Sequence, residues 1–187
     1  MSLLLARKAA QAELSDDLHM MRVLMLVAIS GKWKGKRKIK GITKLAKMDF
    51  LLRYPNCLNI AIEKEGKSLS QFDVEIKDHE KFTIESKMIR FRYGPWDGRY
   101  RRWISLLKAK GLLDVYTEGR TVIVESTDLG QKFVEDLYDS EVYKDQYLRA
   151  TAVVKTFGGF SATKLMGFIY ETFPELNNMR WGDEIEL

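Results

Sequence analysis

Residues 112–126 read LLDVYTEGRTVIVES. Two runs rich in β-branched residues, with Val115, Val122 and Val124 available for burial, flank a Glu-Gly turn, which is the pattern of a β-hairpin. On the N-terminal side, Asp97 can open a helix that packs through Tyr100, Trp103, Ile104, Leu106 and Leu107, and Gly111 offers the left-handed residue that ends it. On the C-terminal side, Ser126 or Thr127 can cap a helix beginning DLGQKFVEDL. Helix, short hairpin, helix, preceded by further helices, is the order expected of a winged helix-turn-helix. The expected class is therefore α+β and mostly helical: a winged helix-turn-helix core with a β-hairpin wing and a helical C-terminal extension.

Upstream, Ser15 can cap a helix with Asp16 and Asp17 in its first turn, where carboxylates favour the helix dipole, and an apolar run through Ala28 marks that helix as buried as far as Gly31. Thr43 can cap a second helix carrying Leu45, Met48, Leu51 and Leu52 at three- and four-residue steps, with Pro55 ending it. Residues 56–90 are expected to mix NIAI as strand or helix, a polar loop at EKEGKSLSQ, and short alternations in FDVEIKDHEKFTIESKMIRF. Downstream, a helix from about Val142 to Lys155 should break at FGGF, 157–160, and a last helix starting at Ser161 or Thr163 should stop at Pro174. The domain plan is an N-terminal arm at 1–14, a winged-helix domain at 15–140 and a helical extension at 141–187 packed on the core.

The 187 residues are enough for one full core or two small ones. A net charge of +5 permits contact with a polyanion without demanding it, so the distribution of charge matters more than the total. Six of the nine residues in KWKGKRKIK, 32–40, are basic: Lys32, Lys34, Lys36, Arg37, Lys38 and Lys40. A loop there could bind phosphates with strong salt dependence, could contact a partner protein, or could be a solvated face. The stretch RFRYGPWDGRYRRW, 90–103, is the second candidate. Arg99, Arg101 and Arg102 open the helix that precedes the wing, where arginine can reach guanine edges. Tyr93 and Trp96, held by a Gly-Pro turn, have the composition of a partner-binding anchor or of ordinary packing.

Enzyme signals are weak. No phosphate loop ending in Gly-Lys-Ser or Gly-Lys-Thr occurs. His19 and His79 have no nucleophile at a recognisable spacing, and Cys57 reads as a small buried residue. Asp73, Glu75, Asp78 and Glu80 could suggest a Mg²⁺ nuclease but lack a defined strand context. With one cysteine and two histidines, no metal or other cofactor is expected, and a reducing, cytoplasmic setting fits best. The most apolar run, 20–29, is about half the roughly 20 residues that a membrane span needs. The acidic end WGDEIEL is expected to dock on a basic surface.

KMDFLLRYPNCL (47–58), RFRYGPWDGRYRRWISLLKAKGLLDV (90–115) and STDLGQKFVEDL (126–137) together resemble the small middle component of bacterial ABC-three-component defence systems of the Lamassu type. The resemblance covers about residues 18 to 175, and its most specific pieces are Leu-Leu-Arg-Tyr-Pro, ending at Pro55, and Tyr-Gly-Pro-Trp-Asp, from Tyr93 to Asp97. It implies a non-enzymatic antiviral subunit that assembles with an SMC/Rad50-like ABC ATPase subunit and a separate effector subunit, often a nuclease, and helps the complex engage double-stranded DNA. The lysine-rich loop at 32–40 is not part of that pattern. A free-standing winged-helix transcriptional regulator is the alternative.

Overall fold

The computed structural model describes residues 16–33, 38–78, 80 and 87–187. The expected arm at 1–14, His79, and the candidate cations Lys34, Lys36 and Arg37 lie outside them.

The centre of the fold is α1 (Asp16–Lys32), buried continuously from His19 to Ser30. A helix apolar on all sides has no solvent face and must be surrounded. Around it pack α2 (Ile42–Arg53), α4 (Tyr100–Ala109), α5 (Asp128–Tyr138), α6 (Glu141–Phe157) and strand β5 (Thr121–Ser126). The buried residues of α6 and of α7 (Ala162–Thr172) belong to the same hydrophobic cluster as those of α1 and α2, so the C-terminal extension shares the core.

Strand β1 (Ile39–Lys40) joins β5 and β4 (Leu113–Glu118) in an antiparallel sheet of order β1-β5-β4. Ile39 lies opposite Val124, and Val124 opposite Val115, which places the valines noted in the sequence toward the core. The hairpin turns at Gly119–Arg120, with Gly119 at φ 59°. Gly111 takes the left-handed conformation after α4, and Thr127 caps α5 by accepting from the Gly130 amide.

Gly130 fixes how α5 sits on the hairpin, because a Cβ there would lie 2.1 Å from the Leu112 carbonyl oxygen. Glycine to alanine inside a helix ordinarily stabilises by up to about 1 kcal/mol. Here the contact is with backbone that cannot rotate away, and overpacking of this kind costs about 1–3 kcal/mol. Gly130→Ala is therefore expected to lower stability in a urea titration, and an unchanged midpoint would show that α5 can shift without cost.

Several elements differ from expectation. Gly41, at φ 92°, rather than Thr43 precedes α2, with no side-chain cap. Pro55 ends α2 but also begins α3 (Pro55–Lys64), since the first turn of a helix needs no amide hydrogen and tolerates proline. NIAI, expected as strand or helix, is thus helical. The polar loop holds a 3₁₀ turn, Leu69–Phe72, with a Ser68/Gln71 capping box. The Gly-Pro-Trp segment is a strand, β3 (Gly94–Trp96), paired with β2 (Ile89–Phe91). Asp97 lies three residues ahead of α4 and accepts from the Arg99 amide at 3.0 Å. Beyond Pro174 there is a further short helix, α8 (Glu175–Asn178).

The acidic C-terminus docks, but chiefly through backbone rather than on the basic surface expected. Ile185 donates its amide to the Met88 carbonyl at 2.8 Å and accepts from the Tyr54 hydroxyl at 3.0 Å, while Lys87 pairs with Glu184 and Glu186. No helix among the described residues is long and apolar enough to cross a membrane.

Candidate nucleic-acid and partner interface

Strand β1 sets the described cations of the lysine-rich segment. Ile39 points into the core, so Lys38 and Lys40 emerge on the outer face of the sheet beside the hairpin. There Lys38 pairs with Glu125 at 3.5 Å and with the Tyr116 hydroxyl, whose ring it also overlies, and Lys40 pairs with Glu118 at 3.3 Å. The hydroxyl of Tyr116, followed by Glu125, raises the Lys38 pKa above its ordinary value. Lys32, at the end of α1, bonds Glu135 of α5. Exposed pairs of this kind contribute little to stability. Their consequence is electrostatic: each described lysine of the segment faces an acid, so the patch is less cationic than the sequence alone implies.

Helix α4 has the opposite balance. Tyr100, Trp103, Ile104 and Leu107 are buried, which leaves Arg101, Arg102, Ser105, Leu106, Lys108 and Ala109 outward on a helix with no acidic residue. Its three arginine candidates part company. Arg99 forms a fork onto Asp97, at 3.0 and 2.8 Å, and lies over Trp103, so it is committed to the fold. Arg102 reaches Asp16 at 2.7 Å while staying 67% exposed. Arg101 is exposed and has no carboxylate partner among the described residues.

Beneath α4 lies a buried ionic network that sequence reasoning missed. Asp49 accepts from Arg53 at 2.6 Å, from Arg22 at 3.3 Å and from the Tyr100 hydroxyl at 2.6 Å; Arg53 also reaches Asp97 at 3.0 Å. Arg22 bonds His19, whose ring stacks on Trp103 with centroids 4.5 Å apart. Burial pushes the Asp49 carboxyl upward, but Arg53 and Arg22 more than reverse this and hold it below the usual carboxylate range. The same opposition at Asp97, burial against hydrogen bonds from Arg99 and the charge of Arg53, leaves that carboxyl well below its ordinary value. The available signal was charge inside apolar runs: Arg22 in MMRVLMLVAI, and Asp49 and Arg53, one helical turn apart, in KMDFLLRY.

The two partner-binding candidates also separate. Tyr93, at the β2–β3 turn, is 47% exposed, with Arg92 over its ring. Trp96 is half-buried against Tyr100 and Phe91, with ring centroids at 5.4 and 6.5 Å, so much of its surface serves packing.

In the acidic stretch, Glu80 is held by Arg149 at 2.8 Å, and no group of three or more His, Cys, Asp or Glu among the described residues could hold a metal ion. Cys57 is buried, which pushes its thiol up to about 12. The chain matches no family model, no curated protein and no solved structure.

Proposed function

We propose that this chain is a DNA-engaging, non-catalytic accessory subunit with a winged-helix core, assembled with an SMC/Rad50-like ABC ATPase and a separate effector in defence against foreign DNA. The fold part of this reading is supported by element order: α1, β1, α2, α4, β4 and β5, with a β1-β5-β4 sheet, follow the winged-helix sequence, and residues 55–96 form an insertion before its third helix. The observation that carries the DNA part is the acid-free outward face of α4. In a winged helix-turn-helix this is the helix that enters the major groove, and Ser105 and Ala109 are small enough for close approach between flanking cations. Tyr93, exposed beside arginines, supports a protein partner on the adjoining turn. The ATPase and effector rest on the family resemblance.

Co-expression with an SMC-type ATPase encoded beside this chain is expected to yield a stable complex. Tyr93→Ala should weaken retention about tenfold, as loss of an aromatic anchor does, with the melting temperature unchanged. Failure of the ATPase to co-purify would remove the assembly reading. A dimer that alone selects a pseudo-palindromic duplex would instead identify a free-standing regulator.

A further inference from the structure

Lys47, on α2, is only 2% exposed. Its ammonium donates to the Thr43 carbonyl at 3.1 Å, and no carboxylate among the described residues pairs with it. Burial lowers its pKa to about 8, so it remains largely protonated at neutral pH. This contrasts with the buried Arg22 and Arg53, both of which share Asp49. An ammonium has three donors, and leaving a buried one without a counter-charge is costly unless something outside the chain supplies it.

What could supply it is set by the walls. Lys47 lines a cavity of about 190 Å³ together with Thr43, Phe91, Tyr93, Trp96 and Arg101. Every charged residue there is cationic. The rim is aromatic and open: Phe91 and Tyr93 are 43% and 47% exposed, and Trp181, 64% exposed, lies 6.0 Å from Phe91. The volume is below the roughly 300–1,000 Å³ of pockets that enclose free drug-sized molecules, and suits a side chain better than a nucleotide. Single-stranded nucleic acid needs a cationic groove that follows its backbone, whereas here the buried charge is one point in an apolar lining.

We propose that this cavity receives an aspartate or glutamate side chain, flanked by an apolar residue, from a segment of a partner protein, with Lys47 binding the carboxylate and Phe91, Tyr93 and Trp96 covering its neighbour. The proposal rests on the reading of the Tyr93 turn as partner-facing and adds the chemistry of what binds there. A carboxylate meeting a desolvated ammonium forms a charge-assisted hydrogen bond, roughly twice as strong as a neutral one. The Trp, Tyr and Arg around it are the residue types in which interface energy concentrates.

Random 12-residue peptides displayed on phage should be selected on the full chain, and the enriched sequences synthesised and measured by calorimetry. The expected result is a shared Asp or Glu next to an apolar residue, with at least tenfold weaker binding when that acid becomes its amide. Lys47→Met should cause the same loss, and combining it with the amide peptide should add little more. Because methionine fills the space without an unpaired charge, Lys47→Met should fold with equal or greater stability, separating binding from structure. Absence of binders, absence of an acidic consensus, or equal binding by Lys47→Met would overturn the proposal. So would an oligothymidylate that binds the chain and loses affinity on Lys47→Met, which would make the ligand nucleic acid. A chain that selects acidic peptides but does not retain the ATPase keeps the pocket and loses the assembly; the reverse outcome loses the pocket alone.

Discussion

Asp49→Ala is expected to destabilise the fold by about 3–5 kcal/mol, the cost of breaking a buried ion pair from one side. The carboxylate is fully buried and shared by Arg22 and Arg53, so its removal takes a counter-charge from both guanidinium groups, leaving Arg53 to Asp97, and takes the acceptor of the Tyr100 hydroxyl. Domains of this kind hold about 5–15 kcal/mol in total, so the loss should move a urea midpoint far enough to leave a substantial unfolded fraction at 37 °C. Removing all the charges together is a different experiment. Replacing Arg22, Asp49 and Arg53 by Met, Leu and Met leaves no uncompensated ion and should cost much less than Asp49→Ala alone. If the triple variant is worse than the single one, the network contributes through geometry that apolar packing cannot reproduce.

The same network sets an acid limit. Asp49 and Asp97 both have folded pKa values below the roughly 3.9 of an unfolded aspartate. Groups depressed in this way contribute stability that is fully present above the unfolded value and is lost as pH falls toward and through the folded one. Stability should therefore be nearly flat from neutrality to about pH 5 and drop steeply below about pH 4. Asp97→Asn should shallow that drop, because an amide has no proton to take up.

Most of the local architecture was legible because local chemistry decides it. Gly111 ends α4, Thr127 and Ser161 cap their helices, and the β-branched runs form the hairpin. Two parts of the stretch from Pro55 to Trp96 were not, for two physical reasons. Proline reads as a stop, yet at the first helical position its missing amide hydrogen is harmless, so α3 was hidden behind its own first residue. Strands β2 and β3 span only three residues each and are held by pairing with one another and with the chain near Glu184, a contact that no local window contains. The candidate interface was half legible for a similar reason. Composition marked both cationic stretches, but whether a lysine is free or paired depends on acids that arrive from elsewhere, as Glu118, Glu125 and Glu135 do for the segment at 32–40.

That difference in pairing yields the second large expected effect. Changing Arg102, Lys108 and Lys110, the last an exposed lysine directly after α4, together to glutamine should weaken binding to duplex DNA by about 10²-fold near 0.1 M salt. The log–log salt dependence should flatten by about 1.8, which is 0.9 for each of the two phosphates neutralised by Lys108 and Lys110, since Arg102 already faces Asp16. Arg101 is left intact because it also lines the Lys47 cavity. Fluorescence anisotropy across about 50–200 mM salt measures both quantities. Changing Lys32, Lys38 and Lys40 removes the same formal charge, but all three of these ammoniums already face a carboxylate, whereas in the first set only Arg102 does among the described residues, so about a threefold change and little loss of slope are expected. A reversal, with the second triple variant losing binding and the first retaining it, would move the DNA from α4 to the outer face of the sheet. Base preference discriminates further. Removing cations that neutralise phosphates beside a helix in the major groove should weaken all sequences about equally, whereas substitution of Ser105, at the centre of its outward face, should alter which sequences bind.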